Sequence, residues 1–495
     1  MYHRGAKWDE NRDSTWDSSM MRFEVIVVGA GPAGMSAALN AANSGCEVLV
    51  LDNGIRLGGQ YWRHMPKERD SLNYSLHYDF DKAVTLRDAV LQHAKITVKT
   101  QVQIWSGTAG DLSVVVRALM PRHPGETPSE IVFETHRLIL ATGAYDRALP
   151  FPGWDIPGVM TPGAAQSLLK GHGVVAGKKM VIAGTGPFLL PVSSSLAEQG
   201  VEIVGLFEAH SPMRWLKRIA VLLSNFGKLS EGFHYTRILK RHAVRMTFGS
   251  AVIEAHAGQA GTLTAVTVAR IRPDFTVVLG SEKRIECDAV AVGWGFTPDT
   301  SLAGALGLHQ KIDVDGAVVV SVDEKQVALA TPEVSIFAAG EITGVGGANL
   351  SLQEGAIAGL SCALSLDKIT EVQYQASTKN LYASRSQAEK FACALKEIYS
   401  VPDGWRTWLT PSTMICRCEE VSRDQIDNAV KELGARNSRD VKLFSRVGMG
   451  MCQGRVCGRN IADYLRVDDA DRVRNTHRPI IAPISLGELA RDPLL

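Results

Sequence analysis

The chain has 495 residues, enough for two or three domains that each bury a core. Hydrophobic content of 45% and charged content of 21% are ordinary for a globular protein. A formal net charge of +1 excludes the global field that binding to nucleic acid or to an anionic membrane would exploit.

Residues 1–21, beginning MYHRGAKWDENRDSTWDSSM, are polar and read as an N-terminal extension without the apolar centre of a secretory signal. Then FEVIVVGAGPAGMSAALNAANSGCEVLVLDNG predicts a strand, a tight turn, a helix and a second strand. Val25 to Val28 form a continuous apolar run, as a strand buried on both faces requires. Gly29, Gly31 and Gly34 follow at G-x-G-x-x-G spacing, with Pro32 and Ala33 opening the helix. In such a unit the first glycine turns the chain and the second admits a pyrophosphate. The third lets helix and strand pack closely, and the helix N-terminus attracts the phosphates. Asp52 ends the second strand, where a carboxylate meets ribose hydroxyls. The apolar run through this unit approaches membrane-span length, but its glycines and proline suit strand, turn and helix better than one spanning helix.

LGGQYW, with Gly59 and Gln60, and LILATGAYDR, with Thr142 and Gly143, come next. KKMVIAGTGPFLLPVSSSLAEQGVEIVGLFE then repeats the strand–turn–helix–strand plan. Gly184 and Gly186 hold two glycine positions, Leu189 takes the third, and Glu208 ends the second strand. That unit is open to NADH, to another adenine nucleotide, or to no ligand. A basic stretch from Met213 to His242 reads as one or two helices with a solvated face. Gly340 and Glu341 lie in SIFAAGEITGVGGANLSLQEGAIAG. Of the eight cysteines, Cys46, Cys287, Cys362 and Cys393 are scattered singly, with no partner at C-x-x-C or C-x-x-x-x-C spacing for a redox pair. Cys416 and Cys418 form a C-x-C pair and Cys452 and Cys457 a C-x-x-x-x-C pair. Four thiolates so arranged can hold a [2Fe–2S] cluster or a tetrahedral zinc ion. An amphipathic helix bearing Ile426, Val430 and Leu433 is predicted between the pairs, and SRVGMG before Cys452 reads as a loop at the cluster or a plain turn. No zinc-protease motif, nucleophile elbow or substrate acid–base pair appears. His172 reads as a linker histidine, and no catalytic residue is assigned.

Residues 22–365 resemble the two-dinucleotide-fold flavoproteins, which include thioredoxin reductase-like and ferredoxin reductase-like enzymes. The resemblance implies FAD on the first glycine motif, with Asp52, Gly59, Gln60, Thr142 and Gly143 around it. It also implies Gly340 and Glu341 against the ribityl and pyrophosphate, with Glu341 standing where aspartate is commoner. The cysteine pairs, with Arg417, Arg446 and Arg455 nearby, resemble the bacterioferritin-associated ferredoxin-like [2Fe–2S] domain.

Longer stretches, including ATGAYDRALPFPGWDIPGVMTPGAAQSLLKG and ICRCEEV…GMGMCQGRVCG, are similar to the alpha-type subunits of opine oxidases, hydrogen cyanide synthase and D-hydroxyproline dehydrogenase. This implies a beta subunit similar to D-amino-acid and glycine oxidases that oxidises the C–N bond, and a small ferredoxin-like gamma subunit. Electrons would pass through this chain to a quinone-like acceptor. The expected fold is α/β: an FAD domain (22–155 and 290–370) with an inserted second dinucleotide-like domain (156–289). A mostly helical four-cysteine domain (371–465) and a C-terminal tail (466–495) complete it. A cytoplasmic location follows from the leader, with peripheral association at the inner face of the membrane left open. The alternatives are a self-sufficient NADH reductase and a zinc-holding scaffold.

Overall fold

Residues 20–121, 126, 128–218, 221 and 226–490 are described in a computed structural model. Most of the N-terminal extension, residues 1–19, and the last five residues of the tail lie outside them.

The first sheet is parallel through Ser335–Ala338, Ser129–Leu140, Met20–Val28, Val48–Leu51 and Ile96–Lys99. Strand Met20–Val28 is central, and its apolar run is divided between two cores. Val25 and Val27 pack with Ala33, Ala37 and Ala41 of the helix Pro32–Asn43, whereas Ile26 and Val28 pack with Val114 and Val116 of an antiparallel hairpin. Burial on both faces is why the sequence shows no alternation there. Helix Ala348–Ser365 crosses Pro32–Asn43 at backbone contact. A Cβ on Gly355 would lie 2.1 Å from the Ala33 carbonyl oxygen, and one on Gly359 2.3 Å from that of Ala37.

The second sheet is also parallel, in the order Met246–Phe248, Glu202–Glu208, Lys179–Gly184, Ala289–Gly293, Val159–Met160. Ala289–Gly293 straddles the expected boundary at 289/290 but pairs wholly within this sheet. The chain crosses back at Phe296–Pro298, antiparallel to Ala144–Asp146.

After the long helix Glu371–Ile398, opened by a capping box of Thr370 and Gln373, comes the cysteine-bearing module. It pairs Met414–Cys416 with Val421–Ser422 and adds helices Arg423–Lys431, Ser438–Ser445 and Gly458–Leu465. The single helix expected between the cysteine pairs is therefore two. Ile426 and Ala429 face inward, while Val430 is on the outer face and Leu433, beyond the helix end where Gly434 at φ +73° turns the chain, is exposed.

The module is fixed to the second domain by buried polar contacts. The Trp154 indole donates to Met414 O (2.6 Å), the Trp408 indole to Phe275 O (2.8 Å), and Arg147 pairs with Asp463 (2.8 Å). The expected tail is a strap: Ile481 N donates to Trp105 O (2.8 Å) and Ser106 Oγ to Pro479 O (2.9 Å), which ties it to the first domain. No described helix is long and apolar enough to cross a membrane.

Candidate cofactor and cluster sites

The three glycines of the first motif do different work. Gly29 has φ +101°, and a Cβ there would sit 2.2 Å from Ala141 O. A Cβ on Gly34 would sit 1.7 Å from Gly29 O. Both are demanded by packing. A Cβ on Gly31 would meet nothing nearer than Gly59 Cα at 3.9 Å, so this position faces open space at the start of Pro32–Asn43. No side chain caps that helix and its first turn carries no acid. Unpaired amides and the helix dipole therefore point into a cradle that a side chain at position 31 would fill.

Asp52 shapes the cradle's rim, accepting from Ala30 N (2.5 Å) on one oxygen and Gly54 N (2.6 Å) on the other. Gly59 closes on the loop from above: a Cβ there would reach 2.9 Å from Gly31 Cα. Gln60 accepts from Arg63 (2.7 Å). The Thr142 hydroxyl donates to Asp299 O (2.6 Å) and Asp299 N to Gly143 O (2.9 Å), which locks the crossover. This donor set fits an adenine dinucleotide.

Gly340 has φ +83° and presses against Ala33. Glu341 is turned into its own loop, where it accepts from Gly347 N (2.7 Å) and Gly346 N (3.3 Å), and burial pushes its carboxyl up. The residue that holds Gly340 is Glu354, which sequence reasoning did not single out. It accepts from Gly340 N (2.8 Å) and Thr343 Oγ1 (2.9 Å) and is 4% exposed. Its signal was a lone carboxylate inside the apolar helix Ala348–Ser365. Burial raises its carboxyl to about 7. The folded state thus holds the proton more tightly than the unfolded chain. The stability this contributes is full below the ordinary glutamate value near 4.5 and is lost as pH rises through 7. Glu354→Gln keeps an acceptor for Gly340 and Thr343, so its stability profile by thermal denaturation should be flatter between pH 5 and 7. The difference should be on the order of a few kcal/mol at most. A variant with the wild-type slope contradicts this assignment.

The second motif is built differently. A Cβ on Gly184 would lie 1.7 Å from Gly293 O, while Gly186 faces open space. The helix begins only at Leu189, which is buried. Glu208, expected to meet a ribose, is 3% exposed and already accepts from Thr185 Oγ1 (2.7 Å), Gly186 N (2.9 Å) and His210 N (3.0 Å). The end of the long helix and the residues just after it cover this edge: the His210 ring bonds Ser400 O (2.7 Å), and Arg214 donates to Glu397 O (3.0 Å). His172, at the end of helix Pro162–His172, is exposed.

The four paired cysteines come together. Their sulfurs lie 3.8 Å apart for Cys416–Cys418 and 3.7 Å for Cys418–Cys452, and the Cys457 thiol interacts with those of Cys416 and Cys452, all of them free cysteines. Those interactions hold the Cys416 and Cys452 thiols below the ordinary range and raise that of Cys457. Backbone amides of Gly448 and Glu419 serve Cys416, and those of Val456 and Gly454 serve Cys452. Cys416 and Cys457 are buried and Cys418 is exposed. The SRVGMG loop does shape this site: Gly450 lies over Cys418, where a Cβ would come within 2.6 Å of its sulfur. Separations of 3.7 and 3.8 Å are those of sulfurs that share one tetrahedral centre, whether a single ion or one iron of a cluster. Four thiolates in two pairs, served by amides, fit a two-iron cluster.

Of the three arginines noted beside the cysteines, Arg417 lies over the Trp154 ring (5.0 Å) and Arg446 pairs with Glu419 (3.0 Å). Arg455 reaches out of the module. It pairs with Asp299 (3.1 Å), the residue whose backbone locks Thr142 and Gly143, and donates to Ile481 O (3.0 Å). The cluster loop and the flavin crossover are thus joined through one ion pair.

Together these features define a flavin-dependent oxidoreductase with two dinucleotide-type domains and an appended four-cysteine module. The chain belongs to the pyridine nucleotide-disulphide oxidoreductase family, whose model matches residues 23–356, and a BFD-like [2Fe-2S] binding domain matches residues 414–466. It is 30% identical over 485 residues to the opine oxidase A subunit of Agrobacterium tumefaciens (strain Ach5), covering 95% of this chain and 92% of that one. It is also 30% identical over 448 residues to the HcnB subunit of hydrogen cyanide synthase from Pseudomonas aeruginosa, covering 90% and 93%. L-proline dehydrogenase from P. horikoshii shares the fold, with a TM-score of 0.67 over 96% of this chain and 81% of that one at 17% identity.

Proposed function

We propose that this chain is the FAD and [2Fe–2S] electron-transfer subunit of a larger dehydrogenase complex that acts on amines or opines. It receives electrons from a beta subunit that oxidises the C–N bond and delivers them to a quinone-like acceptor. The observation that carries this reading is the Arg455–Asp299 pair, which fastens the cysteine loop to the crossover at Thr142 and Gly143. Bound FAD takes two electrons together and releases them singly, which suits a one-electron cluster.

The chain's own residues supply binding and alignment. Gly31 and the amides of Pro32–Asn43 seat the pyrophosphate, Asp52 lies beside the ribose, and Glu354 fixes the Gly340 turn. Cys416, Cys418, Cys452 and Cys457 hold the cluster, with the exposed Cys418 at its solvent edge. The opine oxidase and hydrogen cyanide synthase relatives are each named as one subunit of a larger enzyme, which supports an assembly of several chains. The sarcosine oxidase alpha subunit from Corynebacterium sp. (strain P-1), 29% identical over 72% of this chain and 34% of that longer one, supports amine chemistry.

The open space at Gly186 favours a second reading, a self-sufficient NADH reductase. Against it, Glu208 is 3% exposed and enclosed by Thr185, Gly186 and His210, whereas Asp52 is only half-buried, and Ser400 covers His210. Anaerobic reduction separates the two: NADH should leave the visible spectrum unmoved, and an amine substrate should reduce the chain only with an amine-oxidising subunit present.

A further inference from the structure

We infer that Arg478, carried by the C-terminal strap, is a positioning residue of the cluster site that raises the reduction potential of the group held by the four cysteines. This rests on the [2Fe–2S] assignment above. The matched [2Fe-2S] module ends at residue 466, so Arg478 lies outside it. Its guanidinium nevertheless donates to Gly448 O (2.9 Å) and to the Gln453 side-chain oxygen (3.3 Å), two points on the loop that presents Cys452 and Cys457. The loop is shaped around it: Gly454 has φ +78°, and a Cβ there would come within 2.7 Å of Arg478 Nη2.

Electrostatics give this contact its meaning. Among the described residues no carboxylate pairs with Arg478; the groups that favour its charge are chiefly the cluster-site cysteines Cys457 and Cys452. Other cations crowd it, since it feels Arg455 and itself bears on Lys442. Arg455 is paired with Asp299, but among the described residues Arg478 and Lys442 have no carboxylate partner, and they repel one another unless an anionic centre lies beside them. Four thiolates around a cluster supply that centre, and the centre gains one negative charge on reduction. A nearby cation therefore favours the reduced form.

The strap makes the placement firm. Ile481 N on Trp105 O (2.8 Å) and Pro479 O on Ser106 Oγ (2.9 Å) tie it to the first domain on one side of Arg478. On the other, Thr476 Oγ1 donates to Gln310 (2.8 Å). The cation is thus held by the flavin domain and aimed at the cluster loop.

The test is a mediated anaerobic spectroelectrochemical titration of the cluster bands, with low-temperature EPR of the reduced form, after iron and acid-labile sulfide are quantified. Arg478→Gln should make the reduction equilibrium constant about tenfold smaller, which is 59 mV for a one-electron couple. Arg478→Lys should stay within about threefold of wild type. Arg474→Gln, an exposed arginine on the same segment, should not shift it. An unchanged potential in Arg478→Gln, or an equal shift in Arg474→Gln, overturns the inference alone. If Arg478→Gln fails to load a cluster, Arg478→Lys decides. A loaded cluster near the wild-type potential supports the role, and loss from both variants reduces Arg478 to space filling. Zinc without iron in the wild type overturns both this inference and the proposed function.

Discussion

Gly31→Ala and Gly34→Ala, two methyl additions three residues apart, should fail in opposite ways. At position 34 the new Cβ would be placed 1.7 Å from Gly29 O, a backbone atom that cannot step aside without lifting the helix Pro32–Asn43 off the central strand. That overpacking should cost roughly 3 kcal/mol or more and give a chain with lowered Tm and little FAD. At position 31 the backbone is extended (φ −75°, ψ −173°), which alanine adopts freely, and the nearest atom to its Cβ is 3.9 Å away. Gly31→Ala should therefore stay within about 1 kcal/mol of wild-type stability. It should still bind FAD at least tenfold more weakly, because the methyl occupies the cradle where the backbone approaches the pyrophosphate. Differential scanning calorimetry and FAD-binding titration of the apoprotein check both. A Gly31→Ala chain with wild-type FAD affinity would show that the cradle is not the dinucleotide seat.

Cys457→Ser should cut cluster iron and acid-labile sulfide to under about a tenth of wild type while leaving flavin in place. The thiolate, not a hydroxyl, is the ligand for iron, and Cys457 is the buried member that contacts both Cys416 and Cys452. A serine hydroxyl enclosed there also costs about 1–3 kcal/mol if left without a partner. Cys393→Ser, at an exposed cysteine on the long helix outside the cysteine module, is the control and should retain full loading. Iron and sulfide analysis together with the flavin absorbance decides. Full cluster content in Cys457→Ser would remove this residue from the ligand set.

How much of this was legible in the sequence follows from which contacts are local. Gly29, Gly31, Gly34 and Asp52 announce themselves because strand, turn and helix follow without interruption, and the structure folds them as that order requires. The same holds for the cysteine pairs. What the sequence could not convey is long-range. Arg455 meets Asp299 because the cysteine module docks on the crossover, and Arg478 meets Gly448 because the strap runs back past the cluster loop, and no periodicity records either contact. Glu208 illustrates the converse. Its position at a strand end is that of a ribose ligand, but it is 3% exposed, enclosed with Thr185 and its neighbours, and the covering Ser400 comes from far along the chain. Val430 looked like a core position by spacing. Ala429, three residues after Ile426, takes that place on the buried face instead.

The central claim, that electrons enter from an amine-oxidising partner and not from NADH, is tested most directly by the visible spectrum of the anaerobic, cofactor-loaded chain. NADH is added first, and then the partner subunit with its amine substrate. The account predicts flavin and cluster bands unmoved by NADH and bleached once partner and substrate are both present. Bleaching by NADH alone would contradict it and make the second domain a nicotinamide site. Full-rate amine oxidation by the isolated chain would contradict it as well, by placing the substrate site within this chain.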